Sequence, residues 1–265
     1  MAQILFEKFG FGGIYFESQA LLSLMAEGTN TGFVFDSGDG VSHVIPVVEG
    51  NVIPHAIRRT NVAGRHVTTY LNKLLNMRGY AFNSTADFEV VREIKEDLCY
   101  VSYDIKKERK LAKETTFVDK DYTLPNGDVI RVGRERFEAA EVLFNPMLNG
   151  QSEMGIARMV RESLAVCDID IVLPLMQNIM ITGGTTMFAG LAGRLYSEIV
   201  EELVEHRYKG NRAPIKDTGL TVLDPPRRKH AVFIGGSFLA GHLPKEQWIT
   251  SEEYGREGRN ALFMH

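Results

Sequence analysis

The segment VFDSGDGVSH, residues 34–43, places two carboxylates and two glycines in a tight polar turn between apolar stretches. Glycines let backbone N–H groups approach a polyanion closely, so this turn could cradle phosphate. Asp36 and Asp39 would repel phosphate unless a divalent cation lay between them, and Mg²⁺ held through its waters suits that position. The alternative is a hairpin in which Asp39 and Gly40 supply the positive dihedral angles of a tight turn. The turn alone does not decide between these interpretations.

A second candidate lies in VVREIKED, where Arg92, Lys95 and Glu96 stand at positions i, i+3 and i+4. This spacing places the three side chains on one face of a helix. They could line a ligand site, but a solvated charged face with a weak ion pair has the same pattern.

Two further candidate segments contain a glycine pair and a basic run. In ITGGTTMFAG, Gly183 and Gly184 end a predicted strand and begin a helix, where a planar ligand group can lie against bare backbone. A strand-to-helix turn that requires small residues is the alternative. Lys229, in PPRRKHAVFIGG, is predicted to lie beside a buried strand, although a basic run is usually surface.

The elements that must position these residues alternate between strands and helices, as the changing hydrophobic period indicates. The first part of the chain is predicted to form a strand in GGIYFES, a helix in QALLSLMAEG ending at Gly28, and strands at about 32–36, 41–48 and 52–56. The middle part follows with a helix over 64–77, two helices between 83 and 114, a hairpin around 125–127, and helices in RERFEAAEVLFN and EMGIARMVRESLAVC. The last part has a strand, a glycine turn and a helix in NIMITGGTTMFAGLAGRLYSEIVEELVEH, and the same three again in RKHAVFIGGSFLAGH. The mostly helical block 61–151 interrupts two strand-rich blocks, which predicts one domain inserted into another.

Composition narrows the class of protein. The 265 residues are 44% hydrophobic and 24% charged, as in ordinary globular proteins, and the net charge is −4. A mildly acidic chain has no general electrostatic footprint for nucleic acid, so we expect no such partner. The two cysteines lack metal-ligand spacing and are expected to be reduced in a cytoplasmic protein. No apolar run approaches 18 residues, which predicts that the chain does not insert into a membrane.

Taken in order, five segments resemble the actin family across essentially the whole chain. They are DSGDGVSH, AGRHVTTYL, REIKEDLCYV, ITGGTTMFAGL and PPRRKHAVFIGGSFLA. Within the family, RGYAFNSTADFEVVREIKEDLCYVSYDIKKERKLAKETT and DPPRRKHAVFIGG are most similar to the actin-related branch that starts filament branches. The resemblance implies an α/β, actin-like ATPase fold, that is, a ribonuclease H-like core with an inserted α+β subdomain. The family's first phosphate loop, and with it the N-terminal half of that fold, has no counterpart here.

The resemblance also implies a role for individual residues. The predicted ATP- or ADP-binding residues are Gly38, Asp39, Gly40, Val41, Gly64, Arg92, Lys95, Glu96, Gly183, Gly184, Thr185, Thr186, Met187, Phe188 and Lys229. Asp36 and Asp39 would hold hydrated Mg²⁺. Gln19 would orient the attacking water near His43, and because a neutral amide cannot take a proton, hydrolysis would be slow.

By the same resemblance, the chain is divided into four parts. They are residues 1–26, a remnant of the small domain and hinge; 27–60 with 152–220, the core of the large domain; 61–151, the inserted outer subdomain; and 221–265, a C-terminal remnant of the small domain. These remnants would lack the sheet on which they pack in relatives, so we expect exposed apolar surface there. The residues concerned are Phe6, Phe9, Tyr15, Phe233 and Phe238.

Three functions remain open at this stage. The first is a cytoplasmic, cytoskeletal, ATP-binding subunit of the actin-branching complex, which templates filament growth with actin and the other subunits as partners. The second is a fast ATPase or small-molecule kinase, which would require a carboxylate base where Gln19 stands. The third is a truncated or diverged actin-like scaffold that no longer binds nucleotide, which the missing phosphate loop favours.

Overall fold

The computed structural model describes residues 1–263, in which helices and strands alternate along the chain. The strands of these residues are β1 (Gly13–Ile14), β2 (Gly32–Ser37), β3 (Ser42–Val48), β4 (Asn51–Val52), β5 (Arg58–Thr60), β6 (Lys120–Thr123), β7 (Val129–Val132), β8 (Ile179–Thr182), β9 (Val222–Leu223) and β10 (Ile249–Thr250). Their α-helices are α1 (Gln19–Ala26), α2 (Gly64–Met77), α3 (Thr85–Leu98), α4 (Ile105–Glu114), α5 (Glu135–Glu138), α6 (Ile156–Leu164), α7 (Ile169–Gln177), α8 (Leu191–His206), α9 (Ala213–Thr218), α10 (Ala231–His242) and α11 (Ser251–Glu257). No helix among the described residues is long and apolar enough to cross a bilayer.

A mixed sheet forms the centre of the fold, with strand order β4-β3-β2-β8-β9 and β5 paired to β3. Strand β2 runs antiparallel to β3 and parallel to β8, so Asp36 has His43 on one side and Thr182 on the other. Because β2 is covered on both faces, it reads as the nearly continuous apolar run GFVF rather than as an alternating pattern.

Helices cover both faces of this sheet. Phe33 and Phe35 of β2 belong to a large buried cluster that includes residues of α2, α3, α6 and α8. Val34, between them, packs instead in a smaller cluster with Leu21 and Leu24 of α1. The alternation of neighbouring side chains between two layers follows from the two-residue period of a strand.

The prediction for RKHAVFIGGSFLAGH was wrong, because residues 231–242 form one continuous helix, α10. Lys229 therefore lies in a 3₁₀ turn, Arg228–His230, just before a helix and not beside a buried strand. The apolar run has no period that separates strand from helix, which is a known ambiguity of short apolar segments. Gly235 serves packing, since a Cβ there would overlap the carbonyl oxygen of Leu22 in α1.

Most other predicted elements are confirmed. Helix α2 spans the predicted residues, α3 is capped by the Ser84 side chain, and β6 and β7 form the predicted hairpin. The third strand of the meander was wrong: β4 ends at Val52, a 3₁₀ turn covers Pro54–Ala56, and the pairing resumes in β5. Cys99 and Cys167 are both free thiols.

The terminal segments show the expected apolar exposure with one exception. Phe9, Phe233 and Phe238 are exposed and Tyr15 is half-buried. The expectation for Phe6 was wrong, because its ring is buried and stacks on Tyr254 with 4.8 Å between the ring centroids. The four-part division of the chain stays a prediction, and the last two positions of its segment 221–265 lie outside the described residues.

Candidate functional site

A cavity of about 730 Å³ opens beside the carboxyl ends of the parallel strands β2 and β8, at the amino end of α2. Crevices at the carboxyl ends of strands are the usual ligand sites of α/β sheets. The residues that line it are Gly38, Asp39, Gly64, Arg92, Lys95, Glu96, Asp97, Cys99, Gly184, Thr185, Met187, Phe188, Ala189 and Lys229. Residues as far apart in the sequence as Gly38 and Lys229, 191 positions, thus line one cavity.

The hairpin between β2 and β3 closes with a hydrogen bond from the Gly38 N–H to the Val41 carbonyl, 3.1 Å long. None of Gly38, Asp39 and Gly40 has a positive φ, so the interpretation in which Asp39 and Gly40 supply such angles was wrong. A Cβ at Gly40 would meet nothing within 4 Å, and one at Gly38 only the Val41 carbonyl oxygen at 4.0 Å. Neither a positive φ nor a lack of space therefore requires glycine at these two positions.

Among residues 38–41, three carbonyl groups accept hydrogen bonds, those of Gly38, Asp39 and Val41, whereas three of the four N–H groups are free. The Gly38 carbonyl accepts from the Gly64 N–H at 3.1 Å and from the Thr185 hydroxyl at 2.7 Å, and the Asp39 carbonyl accepts from the Arg65 N–H at 2.7 Å. Within residues 1–263, the N–H groups of residues 39–41 donate no hydrogen bond. Successive free N–H groups on a turn form an anion-binding concavity.

The two candidate metal carboxylates have different surroundings. Asp36, near the end of β2, is half-buried, and burial raises the pKa of its carboxyl group. The carboxyl group of Asp36 accepts no hydrogen bond from any residue the structure describes. It lies close to Gly183, since a Cβ there would stand 2.7 Å from Asp36 Oδ1. Asp39 is exposed and forms an ion pair with Arg65, with 2.8 Å between Arg65 Nη2 and Asp39 Oδ2. Asp36 is therefore the carboxylate left available for a hydrated cation.

Lys95 is the most unusual charge in the cavity. Only 7% of the residue is exposed. The ammonium group makes one hydrogen bond in the described part of the chain, a long one of 3.4 Å to the Gly64 carbonyl. Burial lowers the pKa of this ammonium group. A buried cation with so few partners carries a desolvation cost that an anionic ligand would offset.

Arg92 and Glu96 extend the same helix face towards solvent. The Arg92 guanidinium holds Glu96 at 2.8 Å and Glu89 at 2.7 Å, so the charged face is an ion-pair network as well as a wall of the cavity. The predicted ion pair is therefore present on this face, and the role of the face in binding a ligand stays a prediction. The network fixes the direction of the Glu96 carboxylate beside the cavity.

The loop after β8 supplies the opposite wall. Gly183 has φ +93°, and a Cβ there would lie 2.3 Å from the Ser37 carbonyl oxygen, so this glycine is required by both conformation and space. Gly184 has open space around it and borders the cavity, as do Thr185, Met187 and Phe188. Thr186 is fully buried behind them. Lys229 reaches the same wall from the turn before α10.

Several predicted residues do not line this cavity. They include Gly40, Val41, Gly183, Thr186 and the predicted metal ligand Asp36, which belong to the segments that surround the cavity without forming its wall. His43 lies on β3 opposite Asp36, where burial and then the neighbouring Arg59 lower the pKa of its imidazole. Gln19 is the exposed first residue of α1. The catalytic roles predicted for Gln19 and His43 stay predictions.

Three lining residues were missed in the sequence. Asp97 and Cys99 follow Lys95 by two and four positions, and the helical period could have identified Cys99 as a neighbour on the same face. Burial raises the pKa of the Cys99 thiol to about 12, so it is a neutral part of the wall. Ala189 is held there by a 2.9 Å hydrogen bond from the Val101 N–H to its carbonyl.

Comparison with known families identifies the family to which this fold belongs. The family described as actin matches residues 1–263. The chain belongs to the actin family. This actin-family protein is 51% identical to actin-related protein 2 of Arabidopsis thaliana, 48% to that of Acanthamoeba castellanii and 46% to that of Schizosaccharomyces pombe. Each match covers 99% of the chain and 68% of the relative. The predicted actin-like α/β fold is thereby confirmed.

Proposed function

We propose that this chain binds ATP or ADP together with Mg²⁺ in the cavity at the ends of β2 and β8. The observation that carries the proposal is the buried ammonium of Lys95, with its one long hydrogen bond, in a cavity next to the hairpin whose N–H groups at 39–41 are free. Cations and free N–H groups on one side suit phosphates, and the glycine-lined wall at Gly184 suits a planar base. Asp36 would hold the hydrated metal ion, which neutralises phosphate charge when bound.

The residues present fit such a ligand. The cavity lies within the 300–1,000 Å³ typical of small-molecule sites. Side chains at Gly38 and Gly40 would intrude into space that the protein itself leaves empty. The cavity wall carries three cations and three carboxylates, namely Arg92, Lys95, Lys229, Asp39, Glu96 and Asp97. Arg92 is paired with Glu96, and Asp39 with Arg65 outside the wall, so Lys95 and Lys229 are the cations that we propose contact phosphate.

We further propose that the chain acts as an actin-related subunit of the actin-branching complex, as a cytoskeletal template for filament growth. Its 46–51% identity to actin-related protein 2 from several organisms supports this role. Hydrolysis would be slow at most, since the residue predicted to orient water, Gln19, carries an amide that cannot take a proton. Co-purification with the other subunits of that complex tests the role, and a chain that recovers none of them contradicts it.

A scaffold that binds no nucleotide is the second candidate. It is favoured by the Arg65–Asp39 ion pair, which engages one of the two candidate metal carboxylates within the protein itself. The two functions differ in one measurable quantity, the affinity for magnesium-bound ATP.

The deciding experiment is a titration with a fluorescent ATP analogue, with and without Mg²⁺. Micromolar, metal-dependent binding supports the nucleotide site, and no binding at millimolar concentration supports the scaffold. Lys95→Met should weaken binding by about 10- to 100-fold, because a charge-assisted contact to phosphate contributes about 1.5–3 kcal/mol. Lys73→Met, at an exposed lysine of α2, is the matched control and should leave affinity unchanged. Equal affinities of both variants would remove Lys95 from the site.

A further inference from the structure

Arg228 lies in the 3₁₀ turn between β9 and α10 and is buried, with 9% of the residue exposed. Its side chain does not line the cavity, although its neighbour Lys229 does. Within residues 1–263 it makes no ion pair with a carboxylate. A buried guanidinium without a carboxylate partner must be satisfied by other acceptors, or it would cost several kcal/mol.

The acceptors are main-chain carbonyls from two separate segments. Arg228 Nε and Nη2 donate to the Thr186 carbonyl at 3.3 and 3.0 Å. Nη1 donates to the carbonyls of Asp224 and Pro225 at 3.0 and 3.1 Å. The planar, forked guanidinium thus joins the loop after β8 to the segment after β9.

The Arg228 main chain adds bonds in the opposite direction. Its carbonyl accepts from the Gly183 N–H at 3.3 Å and from the Thr182 hydroxyl at 2.9 Å. Gly183 in turn accepts from both the N–H and the hydroxyl of Thr186. One residue therefore holds the beginning of this loop through its carbonyl and the end of it through its side chain.

We propose that Arg228 is a positioning residue for the nucleoside side of the cavity. It holds residues 183–188 against residues 224–230, and so sets the distance between the wall formed by Gly184 and Thr185 and the ammonium of Lys229. The inference rests on the proposed nucleotide site. It assigns to Arg228 an effect on the base and sugar, and none on the phosphate hairpin at residues 38–41, to which Arg228 makes no bond among the described residues.

Arg228→Lys is the informative substitution, because an ammonium keeps the charge but cannot span the Thr186 and Asp224 carbonyls together. Arg227→Lys is the matched control: the adjacent arginine is exposed and makes no side-chain hydrogen bond in the described chain. Amide hydrogen exchange of the ligand-free proteins should show the Gly183 and Thr186 amides exchanging about tenfold faster in Arg228→Lys. Arg227→Lys should match the unmodified chain. Unchanged exchange in Arg228→Lys overturns the proposal.

Ligand titrations separate positioning from general destabilisation. Arg228→Lys should lower the affinity for adenosine by about tenfold while changing that for magnesium tripolyphosphate by less than about twofold. Equal losses for the two ligands overturn the proposal, since they indicate damage to the whole fold. An unmodified chain that binds neither adenosine nor ATP contradicts the proposed function instead, and the exchange measurement still decides whether Arg228 holds the loop.

Discussion

At the scale of single residues, the cavity and the end of β2 beside it hold charges whose cost to the fold is not offset by partners among the described residues. Asp36 is a half-buried carboxylate without a hydrogen bond, and Lys95 is a buried ammonium with one long bond, in the part of the chain that is described. Groups in this state usually mark functional sites, because a structural role would have selected partners for them. Neutralising either residue should therefore raise the stability of the ligand-free protein and weaken ligand binding.

We predict that Asp36→Asn stabilises the metal-free protein and weakens metal-dependent nucleotide binding. The raised pKa of Asp36 means that the folded state disfavours the carboxylate, so stability falls as pH rises through that pKa, and an amide avoids the loss. The variant's thermal midpoint should exceed that of the unmodified chain at pH 7, and the two should converge at acid pH. Its affinity for magnesium-bound ATP should be about tenfold lower or worse.

Asp39→Asn is the comparison for that experiment. Asp39 is exposed and its ion pair with Arg65 contributes about 0–1 kcal/mol, so the thermal midpoint should hardly move. An Asp36→Asn protein with both unaltered stability and unaltered metal dependence would show that Asp36 is neither strained nor near the ion.

The sequence predicted which residues share a surface where local spacing carries that information. Arg92, Lys95 and Glu96 are three and four positions apart, so their shared face follows from helix geometry alone. The ion pair between Asp39 and Arg65 joins residues 26 positions apart and depends on how α2 meets the hairpin. No local pattern encodes such a contact, and the burial of Lys95 was equally invisible in a sequence that reads as a charged face.

At the scale of elements, the composition of residues 231–242 explains both the wrong prediction of a strand there and the packing of helix α10. Residues 231–242 are apolar around the helix, with only Ala231 and Gly235 buried, so no amphipathic period was present to indicate a helix. The element forms because Gly235 lets its backbone approach Leu22 of α1 closely. By contrast, α2 was predicted correctly because its buried residues, such as Val67, Leu71 and Leu75, recur at helical spacing.

The adjacent glycines of α10 provide a matched pair of substitutions. Gly235→Ala should destabilise the protein by about 3 kcal/mol, because its methyl group would overlap the Leu22 carbonyl and force α1 and α10 apart. Gly236→Ala should be neutral or stabilise by about 0.5–1 kcal/mol, since its nearest neighbour, Leu22 Cδ1, lies at 3.9 Å and alanine favours helix. Urea unfolding of both variants measures the difference. Equal stability of the two would mean that α10 does not pack on α1 in this way.

At the scale of the whole molecule, the predicted inserted block 61–151 is attached to α8 by a buried ion pair. Arg194 contacts Glu141 through Nη1 at 3.0 Å, and the same nitrogen donates to the Ser102 carbonyl at 2.7 Å. Both side chains of the pair are less than a tenth exposed, and burial raises the pKa of Glu141 despite the neighbouring guanidinium. The pair therefore links two regions of the chain at a place where neither charge can be left alone.

Arg194→Met should destabilise the protein by about 3–5 kcal/mol, because it leaves the Glu141 carboxylate buried and unpaired. The loss should shrink as pH falls, since the folded state of the variant prefers protonated Glu141. Adding Glu141→Gln should restore much of the stability. Arg158→Met, which removes an exposed pair with Glu162, is the control and should cost about 0.5 kcal/mol or less. Unfolding curves at pH 5 and pH 7 that show the same loss for Arg194→Met would contradict the role of Glu141.

The exposed apolar surface of α10 should govern how the whole molecule behaves in solution. Phe233 and Phe238 are 77% and 54% exposed on a helix that is apolar all round, a pattern otherwise typical of buried helices. Phe233→Lys combined with Phe238→Lys should reduce concentration-dependent association in sedimentation velocity and leave the thermal midpoint nearly unchanged, because little burial is lost. Phe117→Lys, at a residue 81% exposed in the loop after α4, is the matched control and should not change association. If the control reduced association as much as the α10 variant does, general surface hydrophobicity would explain it and α10 would have no special role.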